Sequence, residues 1–316
     1  QAEGRRRRGT RRALACAAAG LLALADAAGA SEGGSSHYDP TRAPAFAVAV
    51  APRPGPRAAL RVAVVDAGVA EAPFQRATFR AADVVGAMAE LELGWAFERE
   101  WLGGRVDVAL ELPFGWVELD AAQVAPTAAL AHAQRFDLGD VTLVPLAWSW
   151  SRGSAHVRVA QRVTAPTGGY SALRSTNVGR NHWSFDTQVA ASWLDEPNGF
   201  EASTSVGYLA NTRNPSNRVD GGDELHAELG LAQSFFTPGF AVGARGYSVW
   251  QVGRDEVRSA ATRRNRGWAI GVGPAVRWAP RAFERRVAFT AVWLHDVAAR
   301  DRLEGDRVAF EVAFTP

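Results

Sequence analysis

Along most of this chain, bulky apolar residues recur at every second position. In one stretch Trp268, Ile270, Val272, Pro274, Val276 and Trp278 form one row, and Ala269, Gly271, Gly273, Ala275 and Arg277 form the other. Period two is the mark of an extended strand, whose side chains point alternately to opposite faces. A strand half-buried in a soluble protein shows a polar row to water; here the bulky row carries a tryptophan at each end and only apolar residues between. Ten residues at about 3.3 Å rise, tilted by about 40°, climb about 25 Å, the height of the apolar band on a membrane barrel. Taken alone, the stretch fits a sandwich strand and a barrel stave equally well.

The pattern repeats. Trp183, Phe185, Thr187, Val189, Ala191 and Trp193 oppose His182, Ser184, Asp186, Gln188, Ala190 and Ser192. Phe240, Val242, Ala244, Gly246, Ser248 and Trp250 oppose Gly243, Arg245, Tyr247 and Gln251. The alternation predicts strands at 58–66, 83–98, 104–118, 138–150, 154–164, 182–195, 199–212, 224–235, 239–252, 267–279, 285–298 and 305–314. Connections alternate between short ones (99–103, 151–153, 196–198, 236–238, 280–284) and longer ones (67–82, 119–137, 165–181, 213–223, 253–266, 299–304). Short turns at one end and long loops at the other are the layout of an outer-membrane barrel, and a sandwich has no reason to share it. The fold expected is all-β: an antiparallel up-and-down transmembrane β-barrel of about 12 strands, spanning 58–316.

A charge on the lipid face costs about 2–4 kcal/mol at mid-depth, and the bulky rows carry none. The opposite rows carry Arg158, Arg162, Asp186, Glu224, Glu228, Arg245 and Arg277, together with His226, Tyr247 and Gln251. These are the candidates for a solute path through the lumen. The plainer reading is that charges of both signs pair and fill the interior. Trp183, Trp193, Trp250, Trp268 and Trp278 stand where a barrel places its interfacial aromatic girdles. Segment 138–150 is less regular: its alternation puts Trp148 and Trp150 on the side of Asp140, facing the lumen.

The N-terminus supplies an export route. Arginines 5–8, 11 and 12, an apolar run from Ala13 to Ala25 and Ala28-Gly29-Ala30 read as a secretory signal peptide over 1–30. Without it, 29 of the 35 basic and 31 of the 33 acidic residues remain. The sequence pI near 9.1 is therefore largely a property of the leader, and a nucleic-acid partner loses its support. The single cysteine, Cys16, leaves as well, so neither disulfide nor thiolate chemistry is expected. Residues 31–57 form a Gly/Ser/Pro-rich arm that either crosses a barrel mouth or plugs the lumen.

No catalytic, metal or cofactor motif emerges. The histidines (37, 132, 156, 182, 226, 295) lack metal-ligand spacing. Gly271-Val272-Gly273 lacks the helix that a dinucleotide site needs. A barrel hydrolase requires a serine beside a histidine on an outward row, and none is found. The 253–266 loop holds Arg254, Arg258, Arg263, Arg264 and Arg266, suited to lipopolysaccharide phosphates or anionic solutes, or simply solvated.

Particular residues carry a resemblance. They are Leu138-Gly139-Asp140 through Pro145-Leu146 and Trp148; Pro166-Thr167-Gly168 and Tyr170; Asn177, Gly179, Asn181, Trp183 and Phe185; Gly221-Gly222-Asp223-Glu224-Leu225-His226; and Glu32-Gly33-Gly34 with His37-Tyr38. With Gly243, Gly246 and Tyr247, and Ile270, Gly271, Gly273 and Pro274, these pieces taken in chain order resemble the outer-membrane family named for the meta-pathway of phenol degradation. The resemblance implies a barrel in the outer membrane of a Gram-negative bacterium. It also implies a channel or facilitator that admits small hydrophobic or aromatic compounds by passive diffusion, without cofactor. A structural or adhesion-type barrel with a closed lumen is the alternative, and a barrel hydrolase a more distant one. The partners expected are outer-membrane lipid, the barrel-assembly machinery and the solutes. That machinery commonly reads a terminal aromatic residue, whereas here Phe314 is followed by Thr315-Pro316.

Overall fold

Strand after strand obeys the two-row rule, and each pairs antiparallel with its neighbours. The computed structural model describes residues 36–74, 77–125, 129–235, 239–253, 266–280, 283 and 286–315, with no side-chain description at 69–81 and 123–131. The leader and Arg254, Arg258, Arg263 and Arg264 lie outside the described residues. The strands are β1 (Gly55–Phe74), β2 (Ala77–Trp101), β3 (Gly104–Ala125), β4 (Ala129–Leu138), β5 (Thr142–Arg152), β6 (Ala155–Thr164), β7 (Ser184–Asp195), β8 (Phe200–Asn211), β9 (Glu224–Ser234), β10 (Phe240–Gln251), β11 (Trp268–Trp278), β12 (Val287–Arg300) and β13 (Glu304–Phe314). β1 pairs with both β2 and β13, so the sheet closes on itself and leaves no edge in lipid. Twelve strands form the wall, and β4 is the extra one.

The alternation resolves into outside and inside as the sequence predicts. Val159, Val189 and Val206 sit side by side on β6, β7 and β8 and are 38%, 51% and 48% exposed. Their inward neighbours Ala190 and Ser205 are buried. Trp250 pairs with Trp268 at the loop end, where Trp183 also lies. Trp278 stacks on Phe289 at 5.6 Å, and Trp193 lies 6.0 Å from Phe200, at the turn end. Aromatic rings thus stand at both ends of the staves, the positions expected of girdles. Val189 lies midway between them, so Val189→Arg should lower folding stability in lipid by about 2–4 kcal/mol. Denaturant unfolding in vesicles would measure it; a loss below about 0.5 kcal/mol would contradict the membrane depth assigned here.

Three local expectations need correction. Segments 67–82 and 119–137 are not loops. β1 and β2 pair out to Phe74↔Ala77, and β3 continues against β4. The outward row there turns from apolar to acidic at Asp66, Asp83, Glu118 and Asp120, which marks the end of the apolar band. Past that level the outward row is no longer bulky and apolar, so the paired strands lose the alternation that betrays them. Second, segment 138–150 is not one stave: it breaks at 139–141 into β4 and β5. Third, Trp148 and Trp150 do not face the lumen. The pairing of β5 with β6 shifts between Leu143 and Leu146, at Pro145, which has no N–H for a ladder. Beyond that bulge Ala147 and Ser149 point inward and are buried. The two indoles stack at 4.8 Å outside, donating to the carbonyls of Trp101 and Leu102.

Candidate functional site

The lumen is filled from the turn end and holds a cavity toward the loop end. The arm turns in from Gly55 and climbs through the barrel. Ala49 N–H donates to Ser192 Oγ at 3.0 Å, and Arg277 Cζ lies over the Phe46 ring, 5.7 Å from the ring centroid. Arg245 donates to the Ala43 carbonyl at 3.1 Å. Arg42 reaches Glu90 at 3.0 Å. Tyr38 donates to Glu228 at 3.1 Å and stacks on His226 at 4.2 Å. Ala45, Phe46 and Ala49 are 4%, 3% and 0% exposed, a burial that makes the segment a plug and decides between the two readings of the arm.

The wall meets the plug with paired charges. Arg61 bridges Glu90 at 2.7 Å and Glu311 at 2.5 Å, its partners on the two flanking strands. Asp107 takes Arg57 at 2.9 Å and Arg158 at 2.7 and 2.9 Å. Arg162 pairs with Glu111, and Arg245 with Glu228. Arg277 meets Glu201 at 3.0 Å, and Arg302 meets Glu224 at 2.8 Å. Low dielectric makes such pairs strong only when each charge is met. His226 Nε2 lies 3.0 Å from Asp186, and a Cβ on Gly207 would collide with the His226 ring. Gln251 holds Gly221 O and Gly267 N. All ten residues singled out from sequence therefore face the lumen.

Above the plug lies a cavity of about 320 Å³. Its floor is His37 to Asp39 with Arg42, and loop residues including Tyr170, Arg180 and Asn214 close over it. One wall is apolar: Val84, Met88, Val117, Leu119 and Leu303. The other is polar, with His182, Asn211, Tyr247, Arg302 and Arg307. Of the ten sequence candidates, Tyr247 is the one that borders it. Arg307 donates to Tyr247 Oη at 2.9 Å and to Asp296 at 2.6 Å, and Tyr247 also donates to Asp296.

Asp140 organises the outer rim at the β4–β5 break. Its carboxylate accepts the amides of Gly168 at 2.8 Å and Arg180 at 2.6 Å, and His37 Nε2 at 3.0 Å. Burial alone would raise its pKa, but His37 and these two amides outweigh that and hold it below the ordinary carboxylate value. Gly168 and Gly179 touch so closely that a Cβ on either would overlap the other's backbone. His37 is pushed down to about 4 by burial, despite the opposing Asp140 hydrogen bond. At neutral pH it is therefore uncharged; it donates from Nε2 to Asp140 and presents Nδ1 to Ser184 Oγ at 2.7 Å.

Serine, histidine and aspartate in a chain invite a hydrolase reading. Ser184 is 1% exposed, and its one hydroxyl proton is contested by Asn211 Oδ1 at 2.6 Å. No substrate carbonyl can approach it, so the chain works as a latch for the arm. Sequence reasoning missed His37, Asp140 and His182 as partners because they come from the arm, the β4–β5 break and the start of β7. The presence of His37 and Asp140 in the resemblance motifs was the available signal for those two, and His182 stood on the inward row of its strand. Elsewhere, Glu118, Asp120 and His132 bring ligand atoms within 4.8 Å of one another on the solvent-exposed β3–β4 extension.

A closed barrel with an exposed apolar band, aromatic girdles and a polar, plugged lumen is an outer-membrane β-barrel of the Gram-negative envelope. The family model described as "Putative MetA-pathway of phenol degradation" matches residues 80–312, and the chain belongs to that family. Among solved structures, the COG4313 outer membrane channel from Pseudomonas putida F1 aligns with a TM-score of 0.68 and 16% identity, covering 89% of this chain and 100% of that one. The beta domain of the Bordetella autotransporter BrkA gives 0.47 and 14%, covering 83% and 100%. The Pseudomonas putida toluene transporter TodX gives 0.40 and 9%, covering 90% and 95%. At these identities the likeness concerns the fold. No curated protein matches the chain.

Proposed function

We propose that this chain is an outer-membrane channel for small hydrophobic or aromatic compounds, which cross by diffusion without a catalytic step. The observation that carries the reading is the cavity above the plug, where an apolar wall of β2 and β3 side chains stands with a few polar groups such as His182, Asn211 and Tyr247. Ligand sites are typically concave, largely apolar and supplied with a few placed polar groups. The family's association with phenol degradation and the channel structure from Pseudomonas putida F1 agree with it. The ten lumen residues act in this scheme as the wall that holds the plug, with Tyr247 bordering the solute.

A closed structural barrel is the second reading, favoured by the plug itself. Proteoliposomes separate the two. Reconstituted protein should speed entry of toluene or phenol over empty liposomes while admitting raffinose poorly. Equal rates with and without protein would sink the transport reading and leave the structural one. Hydrolase activity is disfavoured by the burial of Ser184.

A further inference from the structure

His182 stands directly before β7 on its inward row and lines the cavity. Its Nδ1 lies 3.2 Å from the Arg180 carbonyl oxygen. A carbonyl can only accept, so Nδ1 carries the ring proton and Nε2 carries a lone pair. Among the described residues Nε2 has no hydrogen-bond partner. Burial, with His37 and Arg180 nearby, pushes the His182 pKa down to about 4. The ring therefore remains an acceptor at neutral pH. The wall formed by Val84, Met88, Val117 and Leu119 offers no polar side chain. Three of the cavity's four arginines are matched by carboxylates, Arg302 by Glu224 at 2.8 Å, Arg307 by Asp296 at 2.6 Å and Arg42 by Glu90 at 3.0 Å, and the fourth, Arg180, is not free either.

We propose that this cavity binds apolar solutes carrying a hydroxyl group, and that His182 is the residue that reads the hydroxyl. The inference rests on the channel reading but concerns selectivity within it. The solute's O–H donates to Nε2 while its hydrocarbon body lies on the β2–β3 wall. A solute without the hydroxyl displaces water from Nε2 and returns no hydrogen bond, which loses affinity. A carboxylate has no proton to give; it sets its own lone pairs against Nε2 and finds the arginines committed. His182 is thus a specificity-determining residue.

The test uses the full chain in detergent, with phenol, toluene and benzoate as probes in calorimetric titrations. Phenol should bind about three- to tenfold more tightly than toluene, the range of one net hydrogen bond, and benzoate no better than toluene. H182F should erase the phenol preference and leave toluene affinity within about twofold, whereas H182Q, which keeps an acceptor oxygen, should retain it. Heat-modifiable gel mobility reports whether each variant is folded. On the wild type, phenol but not toluene should move the ¹⁵N resonance of His182 Nε2, a readout that needs no variant. Equal affinity for phenol and toluene, a preference that survives H182F, or a still Nε2 resonance would each overturn the assignment. Toluene flux in liposomes without any hydroxyl preference would remove the inference and keep the channel. A hydroxyl preference in binding with no flux would keep the site and remove the channel.

Discussion

Deleting residues 36–54 is expected to raise single-channel conductance by about tenfold, because the width of the tightest constriction governs ion flow. The deleted segment includes Ala45, Phe46 and Ala49, the most buried part of the arm. It also carries every plug contact described above, from Ser192 on β7 to Glu228 on β9. The barrel itself should survive. Its strands pair with one another and not with the arm, and the carboxylates the arm touches keep wall partners. Glu90 retains Arg61 at 2.7 Å, and Glu228 retains Arg245. Planar-bilayer recordings, with heat-modifiable mobility as the check on folding, provide the measurement. A folded deletion variant with unchanged conductance would show that the constriction lies elsewhere.

Asp107→Ala should cost about 3–5 kcal/mol of stability, the loss seen when one partner of a buried ion pair is removed. Asp107 is 0% exposed and receives three guanidinium contacts, one from Arg57 and two from Arg158. Without it Arg57 keeps Glu92 at 3.0 Å, but Arg158 keeps only a hydroxyl, Ser149 Oγ at 2.9 Å. A buried guanidinium cannot shed its proton to escape. Asp107→Asn should cost less, because the side-chain shape and part of the hydrogen bonding remain. Asp66→Asn, on the exposed outward row, should change stability by less than about 0.5 kcal/mol. Urea unfolding of the three variants in lipid vesicles would rank them. An Asp107→Ala protein as stable as the Asp66 variant would mean that the lumen charges are solvated and the pairs idle.

The two experiments probe different parts of one design. The wall network fixes the barrel's interior, and the plug uses that network as a docking surface. The described arm reaches the outer rim at His37, which Asp140 holds, and the cavity lies against it there. The inner half of the lumen is accordingly closed by paired charge, and the outer half is a pocket with one apolar side.

Much of this was legible before any coordinates. The two-row alternation placed the staves, because lipid outside and a packed lumen inside impose opposite chemistries on alternate residues. It set Val189 outside and Asp186 inside, and it put Trp183 and Trp193 at opposite ends of one stave. Alternating connection lengths predicted the up-and-down order. The inward direction of all ten lumen candidates followed from the same parity. The tertiary structure decided what parity cannot express. Asp140 meets His37 across 103 positions and Ser184 meets it across 147, and no local pattern encodes such a pairing. The Pro145 bulge reverses Trp148 and Trp150 because one extra residue inverts every side chain beyond it. The extensions of β1 to β4 were hidden because their outward row is acidic at Asp66, Asp83, Glu118 and Asp120 instead of bulky and apolar. The arm's place in the lumen depends on partners from several strands at once, and a Gly/Ser/Pro-rich segment has no periodicity of its own to announce them. Sequence determined which way each stave faces; only the closed barrel decided what meets in the middle.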